Sequence, residues 1–151
     1  MASQAMGKPF VFRLQKVLDY RSQLADQARM ALAQAKAAHD AQKKALEDVE
    51  ALLAAHLAQG FGDAATQAEI WLWMRYREAL ERDVAAAVLE LERLASILQT
   101  RRQEAVLRSR EKKLLEKLKD RQARKHHVAA NLEEQKEYDE MSTLRYKSQD
   151  R

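Results

Sequence analysis

The residues that interrupt helices are confined to two short stretches of this 151-residue chain. Gly7 and Pro9 lie near the start, Gly60 and Gly62 lie near the middle, and the sequence holds no other glycine or proline. The rest of the chain is dominated by Ala, Leu, Glu, Gln, Lys and Arg, which are good helix formers. Because nothing else would end a helix, the sequence predicts two long helices separated by one break.

Composition favours an extended arrangement of these helices over a thick globule. Charged residues make up 33% of the chain and aromatic residues only 6%, which leaves little material for a large core. The predicted fold class is all-α: an elongated antiparallel two-helix coiled-coil hairpin with a longer C-terminal helix. We expect residues 1–9 to form a flexible N-terminal arm and residues 148–151 to form a tail.

The first helix, predicted over residues 10–59, has the apolar periodicity of a coiled coil. With heptad position a at Leu14, two rows are mostly apolar and a third row, at position e, widens the stripe. Row a holds Leu14, Arg21, Ala28, Ala35, Gln42, Val49 and His56; row d holds Val17, Leu24, Ala31, Ala38, Ala45 and Leu52; row e holds Leu18, Ala25, Leu32, His39, Leu46 and Leu53. A stripe of this width needs a partner helix along its whole length.

The break "QGFGD" predicts a turn over residues 60–65, after which the chain carries two signals for a helix start. Asp63 is one candidate N-cap, and "TQAE" (residues 66–69) has the form of a capping box. The second helix, predicted over residues 66–147, carries an apolar seam that Arg77 interrupts. The seam residues are Ile70, Trp73, Leu80, Val84, Ala87, Leu91, Leu94 and Leu98.

The two predicted helices differ in length. At about 1.5 Å per residue they would span roughly 70 Å and roughly 120 Å. A turn centred near Phe61 makes the numbers of facing residues sum to about 122. The expected pairs are Leu24 with Leu98, Ala28 with Leu94, Ala31 with Leu91 and Ala38 with Val84. The second helix should therefore overhang its partner from about residue 113.

Charge is distributed unevenly along the predicted overhang. Residues 101–125 hold eleven Lys or Arg against four Asp or Glu, a net charge of +7, whereas residues 133–140 hold five acids and one base. A weaker apolar row runs through the same region, which gives the overhang something to bury against an external partner or a second copy. Its members are Leu107, Leu114, Leu115, Leu118, Val128 and Leu132.

The basic region raises nucleic-acid binding as an alternative to a solvated helix face. Four acids interleave with the bases at spacings that allow pairing along the helix: Glu104, Glu111, Glu116 and Asp120. No aromatic residue between Tyr76 and Tyr138 offers a base a stacking surface. We therefore expect no nucleic-acid partner.

Aromatic residues mark both ends of the predicted hairpin. Phe10 and Phe12 either plug the open end or anchor it in a pocket of another protein. Trp71 and Trp73 would point about 200° apart on a helix, so one must face outward. That outward ring either covers the turn at Phe61 or serves as an anchor for a partner.

The residue types that carry catalysis do not occur in catalytic settings. The chain has no cysteine and no glycine-rich phosphate loop, and its four histidines do not have metal-ligand spacing. We expect no enzyme activity, no catalytic residue, no metal and no cofactor. The longest stretch without charge, residues 51–62, is too short to span a bilayer, and no secretory signal is evident, so we predict a cytoplasmic protein without membrane insertion.

Both ends of the chain resemble the flagellar FliJ family. "FVFRLQKVLDYR" (residues 10–21) resembles its N-terminal signature, and "EEQKEYDEMSTLRY" (residues 133–146) resembles its C-terminal segment. "EKKLLEKLKDRQ" (residues 111–122) is also similar in style, whereas Tyr138 departs from the Leu that the family often has there. Size, helical layout and a pI near 9.4 agree with this resemblance across almost the entire chain.

The resemblance implies a non-enzymatic stalk of the flagellar type III export apparatus, at the cytoplasmic side of the inner membrane. FliJ proteins are similar to the γ-subunit coiled coil of rotary ATPases. They are thought to act at the centre of the hexameric export ATPase FliI, and to bind the export gate FlhA and export chaperones. The alternatives are the equivalent stalk of a virulence type III secretion system, and a generic scaffold.

Combining resemblance and helix pattern places two candidate surfaces on the chain. The ATPase-binding residues are predicted to be Phe10, Phe12, Leu14, Leu114, Leu118, Arg121, Leu132, Gln135, Asp139 and Glu140. The gate-binding residues are predicted to be Phe61, Trp71, Trp73 and Met74.

Overall fold

The computed structural model describes residues 7–150 and contains two α-helices, α1 (Gln15–Gln59) and α2 (Gln67–Gln149). The described residues form no strand, so the predicted all-α class is confirmed, with the second helix the longer. α1 begins at Gln15 and not at the predicted residue 10, and residues 10–14 before it are not helical. Of the predicted flexible arm and tail, residues 1–6 and 151 lie outside the described range.

Internal contacts divide the chain into two units. The turn unit comprises residues 25–107 and holds the connection between the helices. The terminal unit comprises the described residues 7–24 and 108–150. Each unit joins a part of α1 to a part of α2, and each is described separately below.

The two helices of the turn unit run antiparallel, in a register different from the predicted one. The Gln42 side-chain amide donates to the Ala87 carbonyl at 3.2 Å, and His56 pairs with Trp73. The numbers of facing residues thus sum to 129 rather than about 122, a shift of one heptad. The predicted pairs, such as Ala38 with Val84, are therefore wrong. The shift arises because the connection runs from residue 60 to residue 66, so that its centre lies beyond Phe61.

On α1 in the turn unit, rows a and e face α2, and row d largely faces solvent. Ala25 and Ala28 are buried, and every later a and e position to His56 is at least partly buried. Row d contains Ala38, Ala45 and Leu52, all exposed. The prediction that rows a and d form the seam was therefore wrong for row d. Row e is preferred because its Leu residues bury more apolar area than the Ala residues that dominate row d.

On α2 in the turn unit, the predicted seam is confirmed. All eight apolar members from Ile70 to Leu98 are buried or half-buried, and Leu80 and Leu98 are the most enclosed of them. Arg77, the predicted interruption, is half-buried within the same row. The alternate three- and four-residue spacing of this seam is that of a coiled coil.

The turn is built from the local signals that the sequence carries. Gly60 has a φ of +58°, and its amide donates to the His56 carbonyl at 3.2 Å, which ends α1 in a left-handed cap. The Thr66 amide donates to the Glu69 carboxylate and the Glu69 amide donates to the Thr66 hydroxyl, each at 3.3 Å. This capping box confirms the predicted start of α2 and leaves Asp63 outside the helix, not at its N-cap.

The terminal unit packs the non-helical N-terminal residues and the start of α1 against α2. Arg21 forms an ion pair with Glu111 at 2.7 Å, and the rings of Phe10 and His126 lie 5.8 Å apart. The twelve residues from Phe10 to Arg21 thus lie along the sixteen from Glu111 to His126. They reach so far because a non-helical chain covers more length per residue than a helix. The intrachain partner therefore extends well past the predicted overhang start near residue 113.

From residue 131 to residue 150 every residue is exposed, although α2 remains helical to Gln149. Ala130 is the last residue of α2 with partial burial. The part of α2 without an intrachain partner is therefore shorter than predicted and begins at about residue 131. We call residues 131–150 the free segment.

Candidate partner-binding surfaces

Most of the N-terminal residues that were predicted to bind the ATPase are packed against other residues of the terminal unit. Phe12 is only 6% exposed and its carbonyl accepts the Gln15 amide at 3.1 Å, so its ring is part of the core of this unit. Phe10 is half-buried against His126, and Leu14 is partly exposed. Of the two interpretations of the phenylalanines, this arrangement matches the plug, and it leaves Leu14 as the accessible neighbour.

The α2 members of the same predicted set are accessible, with one exception. Leu114 is 68% exposed and Leu132 is 54% exposed, while Leu118 is half-buried. The remaining predicted residues are all exposed and comprise Arg121, Gln135, Asp139 and Glu140. The structure therefore packs Phe10 and Phe12 within the terminal unit, whereas Leu14 and all the α2 members except Leu118 are exposed.

Several exposed apolar residues of the terminal unit escaped the sequence-based prediction. They are Tyr138, Met141, Leu144 and Tyr146, whereas the exposed Val128 belongs to the apolar row that the sequence predicted. They lie within the predicted overhang, but the apolar row assigned to it from the sequence ended at Leu132. The signal that could have found three of them is the repeated spacing of Tyr138, Met141 and Leu144, which places apolar groups every third residue along one side of the helix.

Two shallow surface depressions lie on the C-terminal part of α2, with opposite charge. The first is lined by Val128, Ala129 and Leu132 with Arg121, Arg124 and Lys125 around them. The second is lined by Asp139, Glu140, Thr143 and Leu144. The first suits an apolar side chain with a carboxylate beside it, and the second suits an apolar side chain with a base beside it.

Part of the positive charge in residues 101–125 is paired along α2. Arg101 lies 3.2 Å from Glu104, Arg108 lies 3.3 Å from Glu111, and Lys112 lies 3.8 Å from Glu116. Three of the four interleaved acids thus contact bases, as their spacing predicted. These pairs reduce the charge that the segment presents to a polyanion.

At the turn, one tryptophan faces the partner helix and the other faces outward, as the sequence predicts. Trp73 stacks on His56 at 4.7 Å and meets Phe61 edge-on at 5.3 Å. Trp71 is 56% exposed, with the Arg75 guanidinium 5.2 Å from its ring centre. Of the two interpretations of the outward ring, the one in which it covers the turn at Phe61 is wrong, because Trp73, the inward ring, occupies that position.

Arg77 lies beside the Trp73 ring and has a weakly satisfied buried nitrogen. Its guanidinium carbon lies 5.6 Å from the ring centre, and its buried Nε is 3.6 Å from the Glu81 carboxylate. That separation is too long for a hydrogen bond but short enough for an ionic contact. The charge at this seam position is thus held by an aromatic face and one acid.

The predicted gate-binding set divides in the same way. Phe61, Trp71 and Met74 are exposed, whereas Trp73 is half-buried in the cluster with His56. Leu57, Leu72 and Tyr76 are further exposed apolar residues near the turn that the prediction left out. Trp71 and Met74 are neighbours on α2, and so are Leu72 and Tyr76, which makes this end of the turn unit rich in accessible apolar surface.

The histidines and acids of the described residues are dispersed along the helices. Within residues 7–150, no group of three or more His, Asp or Glu side chains is placed to hold a metal ion. His126 lies by Phe10 and His127 by Asn131, so the two adjacent histidines diverge. Neither helix contains, in its described residues, an apolar stretch long enough to cross a membrane.

Comparison with known proteins connects these surfaces to one family. A family model described as flagellar FliJ protein matches residues 10–151. The match covers both helices, the packed phenylalanines and the free segment. No curated protein and no solved structure matches the chain.

Proposed function

The chain belongs to the FliJ family of flagellar export components, and from this premise we propose that it is a non-enzymatic stalk that binds the hexameric export ATPase FliI and links it to the export gate FlhA. In this proposal the terminal unit enters the ATPase ring. The turn unit presents its exposed aromatic end to the gate and to the chaperones that deliver substrates. Contact with the gate would hold the protein at the cytoplasmic side of the inner membrane.

The observation that carries the proposal is the exposure of the free segment. Residues 131–150 continue a regular helix although none of their side chains is buried. Leu132, Tyr138, Met141 and Leu144 leave apolar surface open along it. Most of the stability of a helix in a protein comes from packing of its apolar face, so a partner that covers this surface would stabilise the free segment.

Charge supports a ring-shaped partner with polar inner loops. The depression around Val128 and Leu132 is flanked by Arg121 and Lys125, which would attract acidic groups. The acidic surface at Asp139 and Glu140 would attract bases. A stalk with both signs of charge can contact several chemically different loops of the ring.

Stimulation of the ATPase would need no catalytic group from this chain. A stalk that binds one arrangement of the ring subunits more tightly than another shifts the ring toward that arrangement. The role of Phe10 and Phe12 is then indirect, because they hold the start of α1 against α2 and so position the surface of Leu14 and Leu114.

The test is the ATP hydrolysis rate of the export ATPase from the same organism, with and without this protein. A variant lacking residues 131–151 should lose most of the stimulation, because the truncation removes the free segment and preserves the contact of Phe10 with His126. In the full chain, Leu132→Asp should reduce stimulation, whereas Asn131→Asp adds the same charge beside it and serves as the matched control.

Two outcomes would overturn the ATPase assignment. One is full stimulation by the truncated protein at normal helicity. The other is an equal loss for Leu132→Asp and Asn131→Asp, which would indicate a general charge effect instead of an apolar contact.

A further inference from the structure

One stripe of α2 in the terminal unit repeats at alternating intervals of four and three residues from Leu114 to Tyr146, and all of its members are exposed except the half-buried Leu118. Leu114, Val128, Leu132 and Tyr146 lie on it, and each is more than half exposed. Arg121 and Asp139 occupy the same stripe and are exposed as well. Such spacing is that of a coiled-coil seam, so the stripe is shaped to receive another helix. We call it the outer stripe.

We propose that the outer stripe binds the same stripe of a second copy of this chain, with the two helices antiparallel and centred on Ala130. In this register Leu114 meets Tyr146, Arg121 meets Asp139 and Val128 meets Leu132. The remaining layers pair Leu118 with Ser142 and Lys125 with Gln135. Every contact occurs twice, as a twofold interface requires.

The register is selected by chemistry along the stripe. A shift of one heptad in either direction sets Asp139 against Leu114 or against Val128, which would bury a carboxylate on an apolar residue. A parallel pairing in register would set Arg121 against Arg121 and Asp139 against Asp139. Only the centred antiparallel arrangement joins opposite charges and also joins apolar residues.

The charge of the whole stretch from residue 120 to residue 140 favours the same arrangement. In this register the acidic residues 133–140 lie opposite residues 120–127 of the other copy. The second segment carries Arg121, Arg124 and Lys125 against a single acid, Asp120. The shallow depression lined by Val128 and Leu132 would receive the corresponding Leu132 and Val128 of the partner copy.

This inference goes beyond the proposed function and does not rest on it, because it concerns the protein in the absence of the ATPase. The outer stripe contains residues of the proposed ATPase-binding surface, so the dimer and the ATPase complex are alternative states of the chain. Sedimentation equilibrium of the full chain at a series of concentrations measures the association. Arg121→Asp sets two carboxylates opposite each other and Asp139→Arg sets two guanidinium groups opposite each other. Each should raise the dimer dissociation constant by about tenfold or more. The double variant Arg121→Asp with Asp139→Arg exchanges the charges and should restore it.

Glu137→Arg is the matched control, since Glu137 is exposed in the same segment but lies on the opposite side of α2. It should leave the dissociation constant within about twofold of the parent value. A chain that stays monomeric at every concentration would overturn the proposal and leave the stripe to a different protein. So would a double variant no stronger than the single ones.

Cysteine cross-linking provides a second test of the proposed register. It is practical because the natural chain has no cysteine, so only introduced cysteines can react. A mixture of Lys125→Cys and Gln135→Cys chains should form interchain disulfides, since these positions face each other in the proposed register. Either variant alone should not, because each cysteine then faces a non-cysteine residue. Cross-linking of the single variants as efficient as that of the mixture would contradict the register.

Discussion

His56 and Trp73 exchange hydrogen bonds across the turn unit. The Trp73 indole donates to the His56 carbonyl at 3.3 Å, and His56 Nε2 lies 2.9 Å from the Trp73 carbonyl, where it can donate in turn. The two rings also stack, and Tyr76 meets the histidine edge-on at 4.7 Å. A histidine placed on an apolar seam is thus a structural partner that fixes the register next to the turn.

We predict that Trp73→Ala destabilises the protein by about 2 to 3 kcal/mol, at the lower side of the usual large-to-small range because Trp73 is half-buried. The loss combines apolar burial with the hydrogen bond to His56. Urea unfolding followed by circular dichroism measures it. Trp71→Ala is the control and should change the free energy of unfolding by less than about 0.5 kcal/mol, because Trp71 faces outward. Equal losses for both variants would contradict the described division of roles.

Replacing Gly60 by Ala should destabilise the protein by about 1 kcal/mol. The cause is backbone strain alone, since φ is +58° and a Cβ at this position would meet no atom within 4 Å. Gly62→Ala is the matched control, because its surroundings are equally open and its φ is not in the left-handed region. Thermal unfolding of both variants tests the difference, and a Gly62 variant as unstable as the Gly60 variant would refute it.

The capping box makes a prediction for the start of α2. Thr66→Ala removes the hydroxyl that accepts the Glu69 amide and should cost about 1 kcal/mol in the free energy of unfolding. Asp63→Ala should cost much less, because Asp63 lies outside the helix. Chemical denaturation of the two variants decides between the two N-cap candidates that the sequence offers. A larger loss for Asp63→Ala would reverse the assignment.

Features of the fold that depend on neighbouring residues alone were predictable. The left-handed glycine at residue 60 and the box from Thr66 to Glu69 are local, and both appear as the sequence indicated. Helix geometry also predicts that one tryptophan faces outward. Whether this is Trp71 or Trp73 depends on which side of α2 faces α1. The sequence pattern did not show that row e of α1, and not row d, would face α2 together with row a.

Features that depend on the path of the turn or on the N-terminal residues were not predictable. The heptad shift follows from the conformation of residues 60–66, which places the centre of the turn beyond Phe61 although its bounds are close to those predicted. The reach of Phe10 to His126 follows from a non-helical stretch that helix propensity assigned to α1. As a result, the sequence correctly predicted a segment of α2 without an intrachain partner, but placed its start near residue 113 instead of near residue 131.

Stability should depend on pH through the exposed pair of Glu90 and Arg93. Glu90 accepts two hydrogen bonds from Arg93 at 2.6 and 2.9 Å, and this bonding lowers the pKa of its carboxyl below the ordinary value of 4.5. A lowered folded-state pKa stabilises the fold above the unfolded-state pKa, and the effect is lost as the pH falls through the folded-state pKa. The melting temperature of the parent should therefore exceed that of Glu90→Gln by more at pH 7 than at pH values well below 4.5. A difference that does not change with pH would contradict this.

The exposed Trp71 provides a test of the proposal that the turn unit binds the export gate. Trp71→Ala should weaken binding to the cytoplasmic domain of the export gate by about tenfold or more, because exposed aromatic anchors supply a large share of interface energy. Titration calorimetry with the purified domain measures the affinity. Leu89→Ala is the control, since Leu89 is also exposed and apolar on α2 but lies away from the turn. Both variants should retain helicity and the ability to stimulate the ATPase. If Trp71→Ala binds the gate as tightly as the parent, Trp71 is an ordinary surface residue, and the gate contact must be sought elsewhere on the chain.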